Sequence, residues 1–163
     1  MSDYLNNAQY YQMKRSKTSK SWMSEHISDP YVHRAQVAGY RSRAAFKLIE
    51  ANEKYQFFTK NMNVVDLGSS PGSWCQVLNK LNDEGGNIFA LDLLEMDPIK
   101  GVDFIKGDFR EQAVLTELEK KLDKRSLDLV ISDMAPNISG IKTSDQAGII
   151  YLNELALQFA LDW

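Results

Sequence analysis

From residue 42 onward the apolar residues follow two spacings in alternation. Ser42 opens S-R-A-A-F-K-L-I-E-A-N-E-K-Y, where a hydroxyl suited to a helix N-cap precedes Ala45, Phe46, Leu48, Ile49 and Tyr55 on one side of a helix. Asn63–Leu67 (NVVDL) is a short apolar run of strand type, and G-S-S-P-G-S after it is a turn. The following W-C-Q-V-L-N-K-L aligns Trp74, Val77, Leu78 and Leu81 on one helical face, and Pro71 suits the first turn of that helix. Two more strand-type runs, Asn87–Leu91 and Val102–Ile105, lead into the helical E-Q-A-V-L-T-E-L-E-K-K-L. A fourth run, Leu127–Ser132, ends at Asp133. A last helix from about Ser144 carries Ile149, Leu152, Leu155, Ala156 and Phe159 on one face.

Strands separated by helices make βαβ units, so the expected fold is α/β with a doubly wound, mostly parallel sheet. Four strands are few for a parallel sheet, and the last helix should feed another. The expectation is therefore a domain over residues 21–163 whose C-terminal strands are missing. Residues 1–20 are polar and basic, show no period that would bury a face, and read as a flexible segment.

Composition narrows the class. In 163 residues, 44% are apolar and 25% charged, with no run of 18 apolar residues and a single cysteine, Cys75. That pattern excludes a membrane-spanning helix and a disulfide scaffold, and a lone cysteine fits a reducing compartment, with the cytoplasm as the default. A mitochondrial presequence is the weaker alternative, since the leading segment is not rich in Arg. The net charge of −3 hides an uneven split. Residues 1–47 carry 8 Lys+Arg against 3 Asp+Glu, a balance of +5, while residues 48–163 carry 11 against 19, a balance of −8. A basic leading part attached to an acidic body suggests a surface that neutralises phosphates.

In an open α/β sheet, ligands bind outside the carboxyl ends of the strands. Gly68 and Gly72 follow the first strand and allow close backbone approach. Asp92 ends the second, 20 residues beyond Gly72, the spacing of a ribose-binding carboxylate. Asp108 in G-D-F-R follows the third and is placed to meet a base edge. Each feature alone is commonly structural, as a turn or a cap. Their occurrence at successive strand ends points to a nucleoside-bearing cofactor. The glycine loop has neither the G-x-G-x-x-G spacing nor a phosphate cradle, which favours a cofactor without phosphates, such as S-adenosylmethionine, over a nicotinamide dinucleotide. His26 and His33 stand alone, without a cysteine or carboxylate at ligand spacing, so no metal is expected.

Four separated strings, Y-R-S-R-A-A-F-K-L (40–48), V-V-D-L-G-S-S-P-G-S-W (64–74), D-L-L-E-M-D-P-I-K-G-V-D-F-I-K-G-D-F-R (92–110) and S-D-M-A-P-N-I-S-G (132–140), resemble the FtsJ-type ribosomal RNA ribose 2′-O-methyltransferases. The resemblance implies a Rossmann-like methyltransferase fold. It implies methyl transfer from S-adenosylmethionine to a ribose 2′-hydroxyl, that of a uridine, in large-subunit ribosomal RNA within the 50S-type subunit. By position, Gly72 and Trp74 would line the donor site, Asp92 would bind its ribose, Asp108 its adenine, and Asp133 its amino-acid end. Lys47 and Asp133 would be the first two members of the family's Lys-Asp-Lys-Glu catalytic set. Ser73 stands where the family usually has glycine, a change that a negative φ accommodates. The second lysine and the glutamate would follow Trp163, so the 163 residues alone are expected to be inactive. The alternative is a noncatalytic, ribosome-binding remnant. Arg34, Arg41 and Arg43, with Lys14 to Lys20, are the expected phosphate contacts, and Tyr31 and Tyr40 the expected base-stacking rings.

Overall fold

The computed structural model describes residues 29–82, 85–136 and 138–163. The basic segment 1–20 and His26 lie outside the described residues. In chain order the elements are α1 (Pro30–Val37), α2 (Ala44–Tyr55), β1 (Asn63–Leu67), α3 (Ser73–Leu81), β2 (Asn87–Asp92), β3 (Val102–Lys106), α4 (Gln112–Leu122), β4 (Leu129–Ser132) and α5 (Lys142–Asp162). The strands form one parallel sheet in the order β3-β2-β1-β4. The α/β doubly wound expectation holds. No helix among the described residues is long and apolar enough to cross a membrane.

Period-two alternation along buried strands builds the two cores. In β1, Val65 and Leu67 point into a cluster with Phe89, Leu91, Ile105, Leu118 and Phe159, under α4 and α5. Val64 points to the other face and meets Ala45, Leu48, Cys75, Val77 and Leu78, under α2 and α3. Asp66 shares that second face and is fully buried.

Several boundaries differ from the sequence expectation. Helix α1 was not expected, although Asp29 caps it by accepting the Tyr31 N–H at 2.8 Å and Pro30 occupies its first turn. Strand β4 begins at Leu129 rather than Leu127, because the Asp128 carboxylate and N–H bond Asn63 of β1 instead of extending the ladder. Pro71 lies in the turn before α3 and not in its first turn, since Gly72 at φ +102° precedes the helix. Ser73 opens that helix, as the negative-φ expectation required, and its hydroxyl pairs with that of Ser42 at 2.8 Å.

Candidate active site

The sheet order reverses at β1, with β2 and β3 on one side and β4 on the other, and a crevice opens at the carboxyl ends there. It is a cavity of about 480 Å³ lined by Gly68 and Ser70 after β1, Asp92 and Leu94 at β2, Asp108 and Arg110 after β3, Asp133 and Met134 after β4, and Tyr151 of α5. Gly68 has φ +81°, and a Cβ there would sit 2.9 Å from the Met134 backbone nitrogen, so only glycine lets the β1 and β4 loops come this close.

The three cavity carboxylates are held in different ways. Asp92 accepts the Ser70 N–H at 2.8 Å and the Leu94 N–H at 2.7 Å, which fixes its orientation and leaves lone pairs for a ligand. Asp108 receives the Arg110 guanidinium at 2.6 to 3.1 Å and the Arg110 backbone N–H at 2.9 Å. The guanidinium, and then the backbone bond, hold its carboxyl below the usual carboxylate range. Asp133 accepts the Lys47 Nζ at 3.1 and 3.3 Å. Their side chains are 44% and 66% exposed, so this pair from α2 and the β4 loop stays open to a large substrate.

Beneath them Asp66 accepts the Cys75 thiol at 3.1 Å, while its Oδ1 has no hydrogen-bond partner. Burial, with a smaller contribution from the charges of Asp133 and Asp92, pushes this carboxyl up to about 7 against the lowering effect of the Cys75 bond. Burial and the adjacent Asp66 push the Cys75 thiol far up as well, so the one cysteine stays a thiol.

The remaining expected residues divide. Trp74 lines a small recess beside Asp133, with Ser42, Ser69 and Pro71, and donates its indole N–H to the Ala44 carbonyl at 2.7 Å. Gly72 does not line the cavity. A Cβ on it would approach Met96 Sδ and Ile99 Cδ1 at 2.8 Å and an Arg41 guanidinium nitrogen at 2.9 Å. Arg41 itself is half-buried, and its guanidinium is turned onto backbone carbonyls rather than outward. Arg43 is exposed and paired with Asp29. Arg34 lies 4.5 Å over the Phe46 ring and 5.3 Å over Tyr31. Tyr31 and Tyr40 both pack against Phe46. Ser70, Arg110, Met134 and Tyr151 were not singled out in the sequence. Of these only Arg110 carried a signal, as the cation two residues beyond Asp108.

A parallel sheet with a glycine turn and carboxylates at successive strand ends places this chain in the Rossmann-like α/β class. Residues 40–163 match the FtsJ-like methyltransferase family, and the chain belongs to it. It is 58% identical over 150 residues to the ribosomal RNA large subunit methyltransferase E of Chromobacterium violaceum, covering 92% of this chain and 73% of the relative. The enzyme of the same name from Neisseria gonorrhoeae is 59% identical over 146 residues, covering 90% and 71%. A solved structure described as a ribosomal RNA methyltransferase of Plasmodium falciparum superposes with a TM-score of 0.65 at 36% identity, covering 73% of this chain and 69% of that one.

Proposed function

We propose that this protein transfers the methyl group of S-adenosylmethionine to a ribose 2′-hydroxyl of large-subunit ribosomal RNA, in the cytoplasm and on the 50S-type subunit. The observation that carries this reading is the Lys47–Asp133 pair, exposed at the edge of a cavity with three carboxylates. The cavity suits the cofactor. Its carboxylates, Asp92, Asp108 and Asp133, face one guanidinium, Arg110, already paired to Asp108, so the lining favours a cationic ligand and offers no cluster of groups for phosphates. Its volume lies within the ~300–1,000 Å³ of small-molecule sites.

S-adenosylmethionine supplies an electrophilic methyl on its sulfonium. Asp92, oriented by two backbone N–H groups, is the acceptor for ribose hydroxyls. Asp108, kept ionised by Arg110, is the acceptor for an adenine amino group. Asp133 faces the cofactor's amino-acid end and orients the Lys47 ammonium, whose further N–H donors reach a ribose oxygen of the RNA. Arg34 and Arg43, exposed on the same side of the molecule as α2, meet phosphates, and Arg43 exchanges Asp29 for them.

Deletion of the gene should remove a ribose methyl group from large-subunit ribosomal RNA, read by mass spectrometry of digested RNA. An allele carrying Lys47→Ala should fail to restore it, with the transfer rate down about 10²-fold or more. Unchanged ribose methylation in the deletion strain, or a methyl found on a base, would overturn the reading.

A further inference from the structure

The Arg41 guanidinium is engaged by backbone carbonyls of two other loops. One guanidinium nitrogen donates to the Pro71 carbonyl at 2.9 Å and the Asp97 carbonyl at 2.7 Å, and the other donates to the Pro98 carbonyl at 3.2 Å. Its backbone N–H donates to Gln76 Oε1 at 2.8 Å, and the Gln76 amide nitrogen returns a bond to the Gly39 carbonyl at 3.0 Å. Three loops therefore meet on one planar group: the segment that enters α2, the glycine turn after β1, and the loop after β2.

We infer that Arg41 is a positioning residue that ties the cofactor cavity to the helix carrying Lys47. Pro71 follows Ser70, whose N–H orients Asp92. Asp97 and Pro98 lie on the loop that begins with Leu93 and Leu94, the cavity wall beyond Asp92. Lys47 lies six residues after Arg41, as the fourth residue of α2. Holding the three carbonyls at fixed angles to one fork sets Asp92, the cavity wall and the start of α2 relative to one another. The geometry also accounts for Gly72, since a Cβ there would enter the space of the guanidinium at 2.9 Å. Three of the five guanidinium N–H donors of Arg41 are already turned inward on backbone oxygens, which separates it from Arg34 and Arg43.

The inference rests on the methyltransferase reading above, and its test keeps the two apart. Wild type, Arg41→Ala and Arg41→Lys are compared by calorimetry with S-adenosylmethionine, by RNA binding over a salt series and by thermal melting. Arg41→Ala should bind the cofactor at least 10-fold more weakly, with the salt dependence of RNA affinity the same as wild type. Arg41→Lys should recover only part of the loss, because an ammonium lacks the planar fork that spans three carbonyls. Should Arg41→Ala not fold, the Lys variant decides alone: several-fold weaker cofactor binding supports the inference and wild-type affinity overturns it. Wild-type cofactor affinity in a folded Arg41→Ala, even with a lowered melting temperature, overturns it in favour of a purely structural role. A salt slope reduced by about one, with cofactor affinity intact, overturns it in favour of a phosphate contact. Failure of the wild-type protein itself to bind S-adenosylmethionine would overturn the methyltransferase reading, an outcome seen in the wild-type arm and not in the variants.

Discussion

The helical layers on the two faces of the sheet are fastened differently. On the α2–α3 face, Trp74 donates to the Ala44 carbonyl, the Ser42 and Ser73 hydroxyls pair, and Gln76 holds the backbone at Gly39 and Arg41. On the α4–α5 face, contact is mainly apolar, through Ile105, Leu118, Leu122 and an edge-on Phe109–Phe159 pair at 5.5 Å, with one ion pair, Lys121 to Asp103 at 2.6 Å, between α4 and β3. Helix α5 leaves Ile150, Leu157 and Leu161 exposed on its outer side. Apolar burial is non-directional and specifies that a helix packs, whereas hydrogen bonds specify at what angle. Lys47 rides on the directional face, and the catalytic role proposed for it requires accurate placing against a reacting centre.

That contrast can be broken at several points. The largest effect should come from the apolar face: Phe159→Ala should cost about 3–5 kcal/mol of stability, read by denaturant unfolding, with cofactor affinity of the folded fraction little changed. A fall in affinity larger than the loss of folded protein would show that the apolar face also sets site geometry.

Asp66, on the directional face, comes next. Its carboxyl titrates near 7 when folded against an ordinary 3.8, so the folded state holds a proton that the unfolded chain releases. The stabilising contribution is complete below about pH 4 and is lost as pH rises through about 7. Relative to Asp66→Asn, the wild type should lose up to about 4 kcal/mol across that window, measured as unfolding free energy against pH. Parallel curves for the two proteins would show that Asp66 is ionised in the folded state throughout.

The smallest change in stability should come from Trp74→Phe, which removes one hydrogen bond worth about 1 kcal/mol. The rate at which that allele restores ribose methylation in the deletion strain should nevertheless fall several-fold, because the bond anchors the first turn of the Lys47 helix. A rate that tracks stability alone would remove the distinction between the faces.

Most of the sheet was legible in the chain. A parallel strand covered on both faces must read as a short apolar run, and each of the four observed strands lies within two residues of such a run. Helix α1 escaped notice because eight residues with one buried position, Ala35, carry little periodicity, although its Asp-Pro start was there to be read. The three aspartates of the cavity were legible for a topological reason, since strand ends of a doubly wound sheet converge. Arg41 was not. Its charge and its neighbours suggested phosphate, and only the fold brought three carbonyls from residues 71, 97 and 98 to its guanidinium.

The amino-acid sequence by itself determined the order of the elements, the parallel sheet and the placing of Asp92, Asp108 and Asp133 at successive strand ends. These follow from local periodicity and from the direction in which a βαβ chain must run. The tertiary structure alone decided which charges meet. It joined Lys47 to Asp133 across 86 residues, buried Asp66 against Cys75, and turned Arg41 inward while leaving Arg43 outside. A residue's chemistry is carried locally, but its partner and its solvation are set by long-range packing, and those two quantities decide whether a cation faces outward or holds the fold.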